Sequence, residues 1–76
     1  MPREQPSWVH EQRRTLGRRI RDLRTQKGHT QEVLVEMTDI DRRTFQRIEA
    51  GTSDPRYGDL LRIAAALQVP LVELVK

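Results

Sequence analysis

Trp8, Leu16, Ile20 and Leu23 fall along one side of a helix of 3.6 residues per turn, with arginines and glutamines between them. That spacing predicts a long amphipathic helix with an apolar inner stripe and a charged back. Ser7 is placed to cap a helix that begins at Trp8. Residues 1–6, with two prolines and no apolar period, form a loose arm before it. Gly28, just after Lys27, supplies the left-handed stop that ends a helix. Gly17 interrupts the same segment and costs ~1 kcal/mol against alanine. It marks either a close crossing by another helix or a later helix start, at Thr15.

Four shorter segments follow. Thr30 caps a second helix whose inner face carries Val33, Leu34 and Met37. Thr38, Asp39 and Ile40 make a turn. Asp41 caps a third helix, with Phe45 and Ile48 facing inward three residues apart, and Gly51 ends it. Asp54-Pro55 is the turn signal in a loop from Thr52 to Arg56. Leu60, Leu61, Ile63, Ala64 and Leu67 mark a fourth helix. Pro70 fits the first turn of a fifth, LVELV, where its missing amide hydrogen is not needed. Leu71, Val72, Leu74 and Val75 either complete the core or form a seam with a second copy. No segment has the period of a strand, and there is no repeat or low-complexity tract. The expected architecture is all-α: a compact five-helix domain over residues 7–76, with a helix-turn-helix at 31–50.

Size and composition narrow the chemistry. Seventy-six residues make one domain with a modest core. There is no cysteine, so disulfides and thiolate metal sites are excluded, and the two histidines, His10 and His29, lie far apart. No metal and no cofactor is expected. An enzyme is not expected either: there is no Ser-His-acid set and no glycine-rich phosphate loop, and the pair Glu32 and Glu36 lacks a cleft. No apolar run approaches the ~20 residues of a membrane span, and MPREQPSW lacks the apolar core of a signal peptide. These features predict a cytoplasmic protein without membrane contact. The net charge of +3 suits a polyanionic partner but is mild.

The most informative stretch is TQEVLVEMTDIDRRTFQRIEAG, residues 30–51. Two short helices joined by so tight a turn form a helix-turn-helix, and the second carries Arg42, Arg43, Gln46 and Arg47 around one side. Long, donor-rich side chains in that arrangement are what a helix needs to read base edges in a major groove. With IRDLR (20–24), GHTQ (28–31), IDRRTFQRIEAG (40–51), Pro55 and LLRIAAALQVPLVEL (60–74), the chain resembles the lambda-repressor-like, Cro/C1-type (XRE) helix-turn-helix family from about Leu16 to Leu74.

The resemblance implies a five-helix DNA-binding regulator of transcription, a repressor acting as a homodimer on a palindromic operator in a bacterial or phage nucleoid. It implies base contacts from Arg42, Arg43 and Gln46. It implies phosphate contacts from Gln31 at the start of the second helix, from Arg47 at the groove wall and from Arg56. Thr44 is a further phosphate candidate that could equally touch a thymine methyl or face solvent. Arg24 and Glu49 match a pair that in the family ties the first helix to the third. Two positions depart from the pattern: Asp39 stands where the turn usually has glycine, and Val35 where a small residue is expected.

Each assignment has a plainer counterpart. The run RRTLGRRIRDLR reads first as a solvated helix back; Arg42 and Arg43 have a bare-surface reading behind the binding one; Glu32 and Glu36 read as surface carboxylates that no nucleophile or base accompanies. His29 reads as a loop residue beside Gly28, and Trp8 as a core or helix-end plug. At the level of function, two alternatives to a DNA-binding regulator remain open. One is an antitoxin of a toxin–antitoxin pair. The other is a protein-interaction module that keeps the fold without contacting DNA, so a protein partner stays possible.

Overall fold

Capping residues in the sequence set most of the helix limits. In a computed structural model that describes residues 4–76, the chain forms α1 (Ser7–Gln26), α2 (Gln31–Thr38), α3 (Arg42–Ala50), α4 (Tyr57–Leu67) and α5 (Val72–Val75). The Thr30 side chain accepts the amide hydrogen of Val33 at α2, and the Asp41 carboxylate accepts those of Arg43 and Thr44 at α3. Each satisfies donors that a helix start would otherwise leave open. At the other ends, Gly28 and Gly51 take the left-handed conformation, both at φ 74°. After α1 the Gly28 amide returns to the Thr25 carbonyl and the His29 amide to the Arg24 carbonyl, which satisfies two terminal acceptors.

The turn between α2 and α3 is made by Asp39 at φ 57°. The left-handed region is one that Asp tolerates better than most residues, so the expected glycine is replaced without loss of the turn. Gln68 ends α4 in the same way, at φ 58°. No sequence signal marked it, and its amide and that of Val69 close the same pair of bonds, to Ala65 and Ala64.

Ile20, Leu34, Phe45, Ile48, Ile63, Leu67 and Leu74 are fully buried and come from all five helices. Burial of each such side chain stabilises by roughly 1.5–3 kcal/mol. α1 lies across α3 and also meets α4 and α5, while α2 packs on α3 and α4. Val35 is half-buried against this core, so the larger residue is accommodated. At Gly17 a Cβ would lie 2.2 Å from the Glu49 carbonyl oxygen. This is the close crossing that the glycine allows, and α1 runs through it without a break.

Several expectations are corrected. The first helix begins at Ser7, not Trp8, with Pro6 in the capping position and no side-chain cap. The Val9 amide bonds to the Pro6 carbonyl instead. Trp8 is 64 % exposed and is neither core nor plug; it stands at the rim of an open groove beside Leu60, Leu74 and Val75. Met37 is exposed as well, since α2 is short and buries only the side next to Leu34 and Thr38. Pro70 precedes the last helix rather than starting it; its carbonyl accepts the Glu73 amide. Of the last segment's apolar residues, Leu74 is core and Val72 and Val75 are exposed. Residues 4–6 are exposed and non-helical; the rest of the expected arm, residues 1–3, lies outside the described residues.

The Asp41 cap gives a direct test. Its carboxyl is held below its ordinary value of 3.8, mainly by the Thr44 hydroxyl and also by the Thr44 and Arg43 amides. Asp54 is lowered too, chiefly by its bond from Arg13. A depressed folded-state value means that the stabilisation is present above the ordinary value and is lost as pH falls through the depressed one. Stability is therefore expected to hold near neutrality and to fall below pH 3.8. Asp41→Ala is expected to lower the melting temperature at neutral pH, because two amides at the start of α3 lose their acceptor. Asp41→Asn, which caps without titrating, is expected to flatten the acid limb of an unfolding series, and an unchanged limb would remove Asp41 from the account.

Candidate nucleic-acid interface

α3 presents two contrasting sides. Phe45, Ile48 and Glu49 are buried, whereas Arg42, Arg43, Gln46 and Arg47 are all exposed. The spacing puts the four exposed side chains on one surface of a rigid element whose other side is locked into the core. Arg43, Gln46 and Arg47 make no side-chain hydrogen bond or ion pair among the described residues. Their donors are free for a ligand.

Arg42 is different. Its Nη1 and Nη2 donate to Oε1 and Oε2 of Glu32, one residue into α2. Nothing in the residue spacing marks this pair, because the two residues lie on different helices, ten positions apart. Only the turn at Asp39 brings the starts of α2 and α3 together.

Behind this surface is a buried polar anchor. Arg24 Nε donates to Glu49 Oε2 at 2.6 Å and Nη2 to Oε1 at 3.1 Å, while Nη1 donates to the His29 carbonyl at 2.9 Å. The expected ion pair between α1 and α3 is therefore in place, with side chains only 11 % and 4 % exposed. Gln31 Nε2 also donates to Glu49 Oε1, at 2.9 Å. One chain of bonds thus fixes the loop at His29, the start of α2 and the end of α3 to α1. Gln31, for which the family resemblance implies a phosphate contact, spends one amide hydrogen on this anchor and keeps one.

The remaining phosphate candidates meet around a cleft of about 340 Å³ between α3 and the start of α4. Thr44, Arg47 and Arg56 line it, together with Arg62, which the sequence reading passed over. Its spacing of six from Arg56 hides that both line one opening. Asp39, Asp41, Asp54 and Asp59 share the cleft and offset these cations. Thr44 Oγ1 donates to Asp41 Oδ2. Its single hydroxyl hydrogen is engaged in the cap, and a phosphate would have to compete for it.

On another side of the molecule, an apolar groove of about 400 Å³ runs between α1, α4 and α5. Trp8, Val9, Leu16, Leu60, Leu74 and Val75 line it, and no residue of α3 does. No helix among the described residues is long and apolar enough to cross a membrane.

The all-helical bundle with α2 and α3 set around a three-residue turn is the lambda-repressor-like, Cro/C1-type helix-turn-helix fold. The chain belongs to the helix-turn-helix domain family, which it matches over residues 15–75. Among solved structures it is similar to the restriction-modification controller protein C.AhdI from Aeromonas hydrophila. The two are 34 % identical, with a TM-score of 0.79, over 82 % of this chain and 94 % of that one. It is also similar to the hypothetical transcription factor NHTF from Neisseria, at 28 % identity and a TM-score of 0.82, over 100 % of this chain and 86 % of that one. No curated protein matches the sequence.

Proposed function

We propose that this protein is a sequence-specific, duplex-DNA-binding regulator of transcription that inserts α3 into the major groove and acts as a repressor. The observation that carries the reading is the exposed row Arg42, Arg43, Gln46 and Arg47 on a helix whose opposite side is buried. Arg pairs bidentately with guanine O6 and N7, and Gln with adenine N6 and N7, so Arg42, Arg43 and Gln46 are assigned to bases. Arg47 and Arg56 are assigned to phosphates, as is the remaining amide hydrogen of Gln31, near the start of α2, where backbone amides favour an anion. Thr44 has the weakest claim of this set, because Asp41 holds its hydroxyl. The likeness to a transcription factor and to a controller protein supports the reading, and a cytoplasmic, nucleoid-associated location follows from it.

Two copies are assigned to each operator. The exposed Val72 and Val75 at the end of the chain and the groove beside them supply apolar surface away from α3, and a two-fold arrangement places half-sites about one helical turn apart. The likeness to C.AhdI favours one narrower setting, control of a restriction-modification pair. Genes of that kind beside the protein's own operator would support it, whereas a small toxin gene there would favour the antitoxin reading.

The test starts from DNA selected out of a random pool. Arg43→Ala is expected to lose ~1–3 kcal/mol on the selected site and little on random DNA. Equal losses on both would end its role in reading bases. Arg56→Ala is expected to weaken every sequence alike and to reduce the slope of log K against log salt by ~1.

A further inference from the structure

The pairing of Glu32 with Arg42 reaches beyond a list of groove-facing residues. We propose that Glu32 is a positioning residue for sequence discrimination: its carboxylate holds the Arg42 guanidinium by one edge and presents the other edge to a single guanine. The inference rests on the DNA-binding reading of α3.

A guanidinium has five N–H donors in one plane. Glu32 takes one from Nη1 and one from Nη2, oxygen for nitrogen. The Nε hydrogen and one further Nη hydrogen form a second, parallel fork on an adjacent edge. That fork has the spacing needed for guanine O6 and N7. An arginine held at one edge therefore keeps a complete bidentate donor set at another.

The pair also sits where orientation matters. Arg42 is the first residue of α3, and its cap, Asp41, fixes the backbone there through two amide bonds. Glu32 is the second residue of α2, next to Gln31, which is bonded into the buried anchor. Both ends of the Arg42–Glu32 link are thus rooted in fixed backbone. An unrestrained arginine would have to order its whole flexible chain on binding, and that cost falls on the site it reads. A carboxylate that orders it beforehand lowers the cost for the one orientation that meets guanine. It also leaves a wrong base facing donors it cannot accept from.

The side chains of the pair are 58 % and 54 % exposed, a setting in which ion pairs contribute little to stability, with two-point Arg–carboxylate pairs the strongest of them; any such contribution is read by the melting temperature of Glu32→Gln.

The experiment uses the full chain, the site selected from a random pool, and every single-base-pair variant of that site. Binding is measured for the wild type, Glu32→Gln, Arg42→Ala and the double variant, and melting temperatures are recorded for each. Arg42→Ala is expected to flatten discrimination at one base pair of each half-site. Glu32→Gln is expected to lower discrimination about tenfold at that same base pair. Other positions, random-DNA affinity and melting temperature are expected to stay at wild-type levels or, for random DNA, to rise. The double variant is expected to match Arg42→Ala, because Glu32 acts only through that side chain. A wild-type discrimination profile for Glu32→Gln overturns the proposal, as does a loss spread evenly over all positions. Either result leaves DNA binding itself standing, whereas a failure of the wild type to enrich or bind any DNA at low salt removes both readings together.

Discussion

Arg24→Ala is expected to lower the stability of the domain by ~3–5 kcal/mol, because it leaves a buried carboxylate with no countercharge. Glu49 is 4 % exposed at its side chain. It would lose the two bonds from Arg24, at 2.6 and 3.1 Å, and keep only the neutral donor of Gln31 at 2.9 Å. The His29 carbonyl would lose its donor as well. A domain of this length has a total stability of roughly 4–11 kcal/mol, so the loss is a large fraction of the whole. At ~4–8 °C per kcal/mol, the melting temperature should fall by at least about 12 °C. Thermal and urea unfolding measure this, with an unchanged urea slope showing that the compactness of the end states is the same. Replacing both charges, as Arg24→Met with Glu49→Met, is expected to recover part of the loss, since no unpaired charge remains. A single-variant cost below ~1 kcal/mol would show that water reaches the pair and that the anchor is not desolvated.

That anchor also shows how much of the molecule could be read from its sequence. Caps are local, so Thr30, Asp41, Gly28 and Gly51 were legible from residue type and neighbours alone. The exposed row on α3 was legible as well, because it follows from the helical period once Asp41 fixes the start. Arg24 and Glu49 were visible only through the family resemblance, as nothing in the spacing of residues on two separate helices pairs them. Trp8 and Met37 show the opposite failure. Their positions fit a helix period, but a period says which residues share a side and not whether another element covers it, and both are exposed. The bonds that Gln31 and Glu32 make inside the protein were not legible, for a third reason. Each is a polar residue at a helix start, and only the crossing of α1 on α3 and the turn at Asp39 decide which of them meets Glu49 and which meets Arg42.

Gly17→Ala should separate the effect of helix propensity from that of packing. In an exposed helix the change gains ~1 kcal/mol. Here the new Cβ would lie 2.2 Å from the Glu49 carbonyl oxygen and 2.8 Å from the Ile48 carbonyl oxygen, with the Glu49 carbonyl carbon also at 2.8 Å. All three are backbone atoms of α3, so no side chain can rotate away. The two helices must separate, which loosens Ile20 and Ile48 in the core and displaces Arg24 from Glu49. Overpacking in a well-packed interior costs typically 1–3 kcal/mol and sometimes more. The contact with rigid backbone puts this site at the upper end, for an expected net loss of ~2–3 kcal/mol even after the propensity gain. Gly58, within α4, is the internal control: a Cβ there meets nothing within 4 Å. Gly58→Ala is expected to gain ~0.4–1 kcal/mol through the unfolded state. The same substitution at two helical glycines is therefore expected to move the melting temperature in opposite directions. If Gly17→Ala melted as high as Gly58→Ala, α1 would not cross α3 at contact distance, and the buried link that holds α3 in place would have to be redrawn.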